Sequence, residues 1–98
     1  MKKPSSQTRY EPDRNLAWRE VGGKVAIVTP VKQELIILNP TGAVLWTHLS
    51  EGPKTREEMA REITRHFSVD IAKAEEDVEA FLKDLLDKGL IHEAVRSS

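Results

Sequence analysis

A period of two gives way to a period near 3.6 along this chain, and the change divides it. Leu16, Trp18 and Glu20 alternate with Ala17, Arg19 and Val21, the spacing of a strand. Gly22-Gly23 follows, a two-residue turn that accepts positive φ at both positions, and Lys24–Thr29 reads as the returning strand, closed by Pro30. A short link, Val31–Gln33, leads into the apolar run Glu34–Leu38, a third strand.

Helical signals then take over. Asn39 suits an N-cap, its side chain accepting from an otherwise orphan amide, and Pro40 suits the first helical position, where its missing N–H costs nothing. Gly42, Leu45, Trp46 and Leu49 recur on one face of a helix over 40–50, which the SEGPK segment breaks. Thr55 with Glu58 three residues later is a capping box for a second helix, striped by Met59, Ile63 and Phe67. Asp70 caps a third, whose stripe is Ile71, Ala74, Val78, Phe81, Leu82 and Leu85, and Gly89 stands at a left-handed C-terminal cap. Residues 90–93 (LIHE) form a short closing extended segment. The expectation is an α+β, winged-helix-like domain: a three-stranded antiparallel sheet followed by three helices. Trp18 and Trp46 read as core aromatics. Residues 1–14, polar and interrupted by Pro4 and Pro12, read as a flexible tail before a domain over 15–94.

Composition narrows the function more than the fold. At 98 residues there is room for one modest core and not for a deep pocket plus a cofactor site. The net charge of −1 supplies no general attraction to nucleic acid. The absence of cysteine excludes disulfides and thiolate metal sites. Without a secretory signal or a run of about 20 apolar residues, the chain reads as a soluble cytoplasmic protein. His48, His66 and His92 fall on different elements and form no metal-ligand spacing, and the acids of the third helix sit on its polar face. With no glycine-rich phosphate loop and no nucleophile elbow, no enzymatic activity, no metal and no cofactor are expected. The alternative is a winged-helix DNA-binding regulator. Against it, Ile71–Lys88 carries six acids against three bases, a net −3 that phosphate would repel.

The segments LNPTGAVLW, SEGPKTREEMAREI and DVEAFLKDLLDKGLI, in that order, resemble the PqqD-like family, the peptide-recognition domains of ribosomally synthesised, modified peptides. The resemblance runs from about Trp18 to Ile91. It implies a non-catalytic peptide chaperone that binds the leader segment of a precursor peptide. It also implies presentation of that leader to a modifying enzyme, a radical S-adenosylmethionine protein, in pyrroloquinoline quinone or related biosynthesis.

On that reading the apolar third strand is an open edge to which a leader adds as another strand. Leu35 and Ile37 face opposite to Ile36 and Leu38, so one pair enters the core and the other helps line a groove floored by the third helix. The candidate peptide-binding residues are Glu34, Leu35, Ile36, Ile37 and Leu38 with Asp77, Phe81, Asp84, Leu85 and Lys88. The opposite flank, with Leu86, Glu75 and Glu79, stays open as the alternative. Acids on the helix imply a leader carrying Lys or Arg. Proline at Ile36 or Ile37 is expected to abolish binding. An open edge also offers pairing to a second copy, and the N-terminal hairpin offers a swap between protomers.

Overall fold

The computed structural model describes residues 7–94. Its elements, in chain order, are β1 (Arg9–Pro12), β2 (Ala17–Val21), β3 (Lys24–Val28), β4 (Leu35–Leu38), α1 (Pro40–Ser50), β5 (Lys54–Thr55), α2 (Arg56–His66), α3 (Ile71–Asp87) and β6 (Ile91–Glu93). There are two three-stranded antiparallel sheets, in the orders β2-β3-β4 and β5-β1-β6. The α+β class holds. The winged-helix comparison is loose, because the strand joining β5 to β6 comes from the N-terminus.

That strand corrects the expected tail. The first six residues lie outside the described residues, but Arg9–Pro12 pairs with Thr55 and Lys54 on one side and with Ile91–Glu93 on the other. Tyr10 is fully buried. Arg9 Nη1 donates 2.9 Å to Glu58 Oε1, the carboxylate that completes the α2 capping box. Four residues with one inward aromatic carry too little periodicity to mark a strand, and both partners are distant in sequence. The sheet therefore numbers two rather than one.

The local signals act as their chemistry requires. Asn39 Oδ1 accepts from Gly42 N at 2.8 Å, Thr55 and Glu58 exchange side chain–backbone bonds at 3.1 and 2.9 Å, and Asp70 Oδ1 accepts from Lys73 N at 2.9 Å. The Gly22-Gly23 turn has φ of 57° and 81°, the two positive values of a type I′ hairpin. α1 lies against the inner face of β2-β3-β4, where Val25, Ile27 and Leu38 are buried with Leu45, Trp46 and Leu49. Met59, Ala60 and Ile63 of α2, Ala74, Val78, Phe81, Leu82 and Leu85 of α3, and Tyr10, Ala43, Leu90 and Ile91 complete the core.

Two expected core positions are not core. Ile71, in the first turn of α3, is half-exposed at 48%. Trp18 is 39% exposed and only rests edge-on against Trp46, with ring centroids 6.1 Å apart at 81°. Its strand is the sheet's margin, so one side of the ring has no neighbour to cover it.

Candidate functional site: an open strand edge beside a groove

The backbone pairing decides what β4 can do. Thr29 N donates 3.0 Å to Glu34 O, which makes this a hydrogen-bonded pair of the β3–β4 ladder. Hydrogen-bonded and non-bonded pairs alternate in an antiparallel ladder. With the register Val25↔Leu38, Ala26↔Ile37, Ile27↔Ile36 and Val28↔Leu35, the residues bonded to β3 are Glu34, Ile36 and Leu38. The N–H and C=O of Leu35 and Ile37 therefore point outward, to the side where no strand lies among the described residues. Pairing from the hairpin end agrees, since the two-residue turn bonds Val21 to Lys24 and hence Arg19 to Ala26, leaving Val25 and Ile27 for β4.

The sheet has two edges, and they differ. β2 carries Arg19 and Glu20, charges of the kind that blunt an edge, whereas Leu35–Leu38 carries none. β4 is the unprotected one.

A groove of about 470 Å³ runs alongside β4. Ile37, Leu38 and Asn39 form one bank, Thr41, Gly42 and Leu45 of α1 the floor, and Asp77, Ala80, Phe81, Asp84 and Leu85 of α3 the other bank. Gly42 lets the floor lie close to the strand: a Cβ there would meet Leu38 Cβ and Asn39 Oδ1, both at 3.3 Å. Phe81 is 8% exposed. The acids at the rim are each held by a lysine one turn away, Asp77 Oδ1 by Lys73 at 3.2 Å and Asp84 Oδ1 by Lys88. Lys73 is held above its ordinary pKa by the hydrogen bond and charge of Asp77, with Glu76 adding to it.

The structure brings Ile37, Leu38, Asp77, Phe81, Asp84 and Leu85 together around the groove and separates the other four candidates from its lining. Glu34 spends both backbone groups on Thr29. Leu35 is 65% exposed on the sheet's outer face, Ile36 is half-buried against the core, and Lys88 lies beyond the groove as the partner of Asp84. Leu86, on the alternative flank, is absent from the lining. Sequence reasoning missed Thr41 and Ala80, and it read Asn39, Gly42 and Leu45 as cap and packing positions rather than as groove lining. Ala80 was recoverable, since 77, 80, 81 and 84 share one helical face. The proline expectation also divides: Ile37 presents an outward N–H, but that of Ile36 is used within the sheet.

A second cleft, of about 390 Å³, opens on the other face of α1 among Val44, His48, Glu62, His66 and Glu20. Here a spacing passed over in the sequence appears, for Glu62 lies four residues before His66 and its Oε2 is 2.9 Å from His66 Nε2. His48 Nδ1 is 3.8 Å from Glu51 and 3.9 Å from Glu62. Among the described residues no group of three or more His, Cys, Asp or Glu is placed to hold a metal ion. No helix among them is long and apolar enough to cross a membrane.

No curated protein sequence matches the chain. Two solved structures share its fold. TbiB1 in complex with the TbiA(beta) leader peptide superposes with a TM-score of 0.77 at 24% identity, covering 88% of this chain and 99% of that one. The PqqD truncation of Methylobacterium extorquens PqqCD, described as a stand-alone recognition element for ribosomally synthesised and post-translationally modified peptides, superposes at 0.71 and 19% identity. It covers 90% of this chain and 93% of that one. The family model for coenzyme PQQ synthesis protein D matches residues 24–91, a span that holds the open edge, the groove and all three helices. The chain belongs to the PqqD family.

Proposed function

We propose that this domain is a non-catalytic adaptor that binds the leader segment of a ribosomally made precursor peptide. The leader adds as a strand to the free edge of β4, and the domain presents the rest of the peptide to a modifying enzyme of the radical S-adenosylmethionine class. The pathway is pyrroloquinoline quinone or related biosynthesis. The observation that carries this reading is the coincidence of two features: a charge-free strand edge with outward backbone groups at Leu35 and Ile37, and a groove alongside it. A strand added there alternates its side chains, so every second one enters the groove toward Ala80 and Phe81. The leader complex of TbiB1 and the description of the Methylobacterium extorquens domain support the same use of the fold.

The rim sets a preference. Asp77 and Asp84 each engage lysine through one carboxylate oxygen, leaving the other to a basic leader side chain, and an i,i+4 pair whose lysine lies in solvent is weak enough to be exchanged. The leader is expected to offer an apolar residue to Phe81 flanked by Lys or Arg.

The test is an amide-shift titration of the isotope-labelled protein with the leader of the precursor encoded beside it. Shifts at Leu35–Leu38 and at Asp77, Ala80, Phe81 and Asp84 are expected, with Glu75 and Leu86 unmoved. Shifts confined to β2 or to the second cleft would refute strand addition at β4.

A further inference from the structure

The β2-β3-β4 sheet has a second face that no helix among the described residues covers. Side chains directly opposite in a sheet share a face, so the register sorts the strands into rows. Trp18–Ile27–Ile36 and Glu20–Val25–Leu38 turn toward the helices. The intervening rows, Ala17–Val28–Leu35 and Arg19–Ala26–Ile37, turn away, with Val21 opposite Lys24 beside the turn. Val21, Val28, Leu35 and Ile37 are 60, 42, 65 and 54% exposed. Val28 lies opposite Leu35, and Leu35 stands two residues from Ile37 on one strand, so these three adjoin, with Val21 set apart beside Arg19 and Lys24. Exposed apolar patches can mark contact with a partner.

The charges on this face have one sign. Arg19 and Lys24 lie on it, and neither has a carboxylate partner among the described residues, although most other bases of the domain do. A second copy stacked face to face would set cations against cations with no acid to receive them. A leader strand accounts for the edge of β4 but not for a face three strands wide. Leu35 and Ile37 belong to both, offering backbone to the edge and side chains to the face. A strand added at β4 widens the outer face by one row of its own outward side chains.

We infer that this outer face, extended by the bound leader strand, is the docking surface for the modifying enzyme. The enzyme meets it with an apolar patch bordered by Asp or Glu. Part of the surface exists only when the leader is in place, so leader and enzyme strengthen each other's binding, by the same factor in either order. The coupling rests on strand addition at β4; the docking face does not.

The experiment uses the full chain with the modifying enzyme and the leader peptide encoded beside it. Enzyme is titrated into wild type, Arg19→Glu and Val28→Glu, each with and without saturating leader, and leader affinity is measured separately for all three. Neither substituted residue touches the groove. Saturating leader is expected to tighten enzyme binding to wild type on the order of tenfold, within the usual range for coupled sites. Each substitution should weaken enzyme binding at least about tenfold and leave leader affinity and melting temperature nearly unchanged, as surface changes do.

Enzyme binding at wild-type strength in both variants would overturn the proposal, as would enzyme affinity indifferent to a leader that itself binds. Two alternative occupants have their own signatures. Wild-type binding to phosphatidylglycerol vesicles that both variants lose, with enzyme binding intact, assigns the face to an anionic membrane. A wild-type dimer in sedimentation that Val28→Glu disperses, again with enzyme binding intact, assigns it to a second copy. If the leader binds none of the three proteins while both variants lose the enzyme, strand addition fails and the docking face stands.

Discussion

Replacing Ile37 with proline separates the edge from everything else in this domain. The backbone groups that β4 offers outward are the N–H and C=O of Leu35 and Ile37, four in all, as the ladder alternation dictates. At a net 0.5–1.5 kcal/mol per hydrogen bond, a leader strand gains about 2–6 kcal/mol from the backbone. With a few apolar anchors, that suits an affinity of ~0.1–10 μM. Proline at 37 deletes one donor and puts its ring where the incoming carbonyl must lie. The carbonyl left unpaired costs about 1–3 kcal/mol, so leader affinity should fall about 5- to 150-fold.

The fold should survive the change. That N–H serves no bond to β3, proline is tolerated on an edge facing outward, and the lost side chain is 54% exposed. Ile36→Pro is the contrast, because its N–H lies within the β3–β4 ladder and the sheet should fail with it. Glu20→Pro is the control, removing an outward N–H from the other edge of the same sheet. Calorimetric titration of the leader, with a thermal melt of each variant, decides the matter. A folded Ile37→Pro protein that binds within about twofold of wild type would refute the reasoning, as would an equal loss in Glu20→Pro.

Three further outcomes follow from the geometry. Asp77→Lys with Asp84→Lys reverses the groove rim and should weaken a Lys- or Arg-bearing leader at low salt, with the difference from wild type shrinking as salt rises; an affinity that does not respond removes the rim from recognition. Trp46→Ala empties a fully buried site and should cost about 3–5 kcal/mol in denaturant unfolding. Trp46→Phe should cost less, since the indole Nε1 is buried without a hydrogen-bond partner among the described residues and its loss removes that penalty. Glu58 is held below its ordinary carboxylate pKa, first by the backbone hydrogen bond from Thr55 and, against some burial, by the charge of Arg9. A depressed pKa contributes stability above the unfolded value, about 4.3, and loses it as pH falls through the folded value. The melting-temperature gap between wild type and Glu58→Gln should therefore be open at pH 6–7 and close as pH drops below about 4; a gap independent of pH would show that the charge is not what the cap uses.

What the chain determined by itself is everything that depends on neighbours in sequence. Asn39, Thr55 with Glu58, Asp70 and Gly89 are caps because a helix end leaves orphan groups within three or four residues, and each stands where those groups are. Gly22-Gly23 set the hairpin, and the alternation of Leu35 to Leu38 placed two side chains on each face. What lay beyond it were the meetings of distant segments. Nothing local to Arg9–Pro12 announces that Tyr10 is core, because its partners β5 and β6 lie more than forty residues away. Nor does the pattern of α3 say which flank opens on a groove, since Phe81 and Leu86 are equally apolar and only packing against α2 and α1 turns the first toward the site. The outer face of β2-β3-β4 is of the same kind: its residues are scattered from Ala17 to Ile37, and pairing alone gathers them into one surface. Periodicity reports a residue's relation to its own helix or strand, whereas a binding surface is a relation between elements. That relation is settled only when the core has chosen which faces to bury.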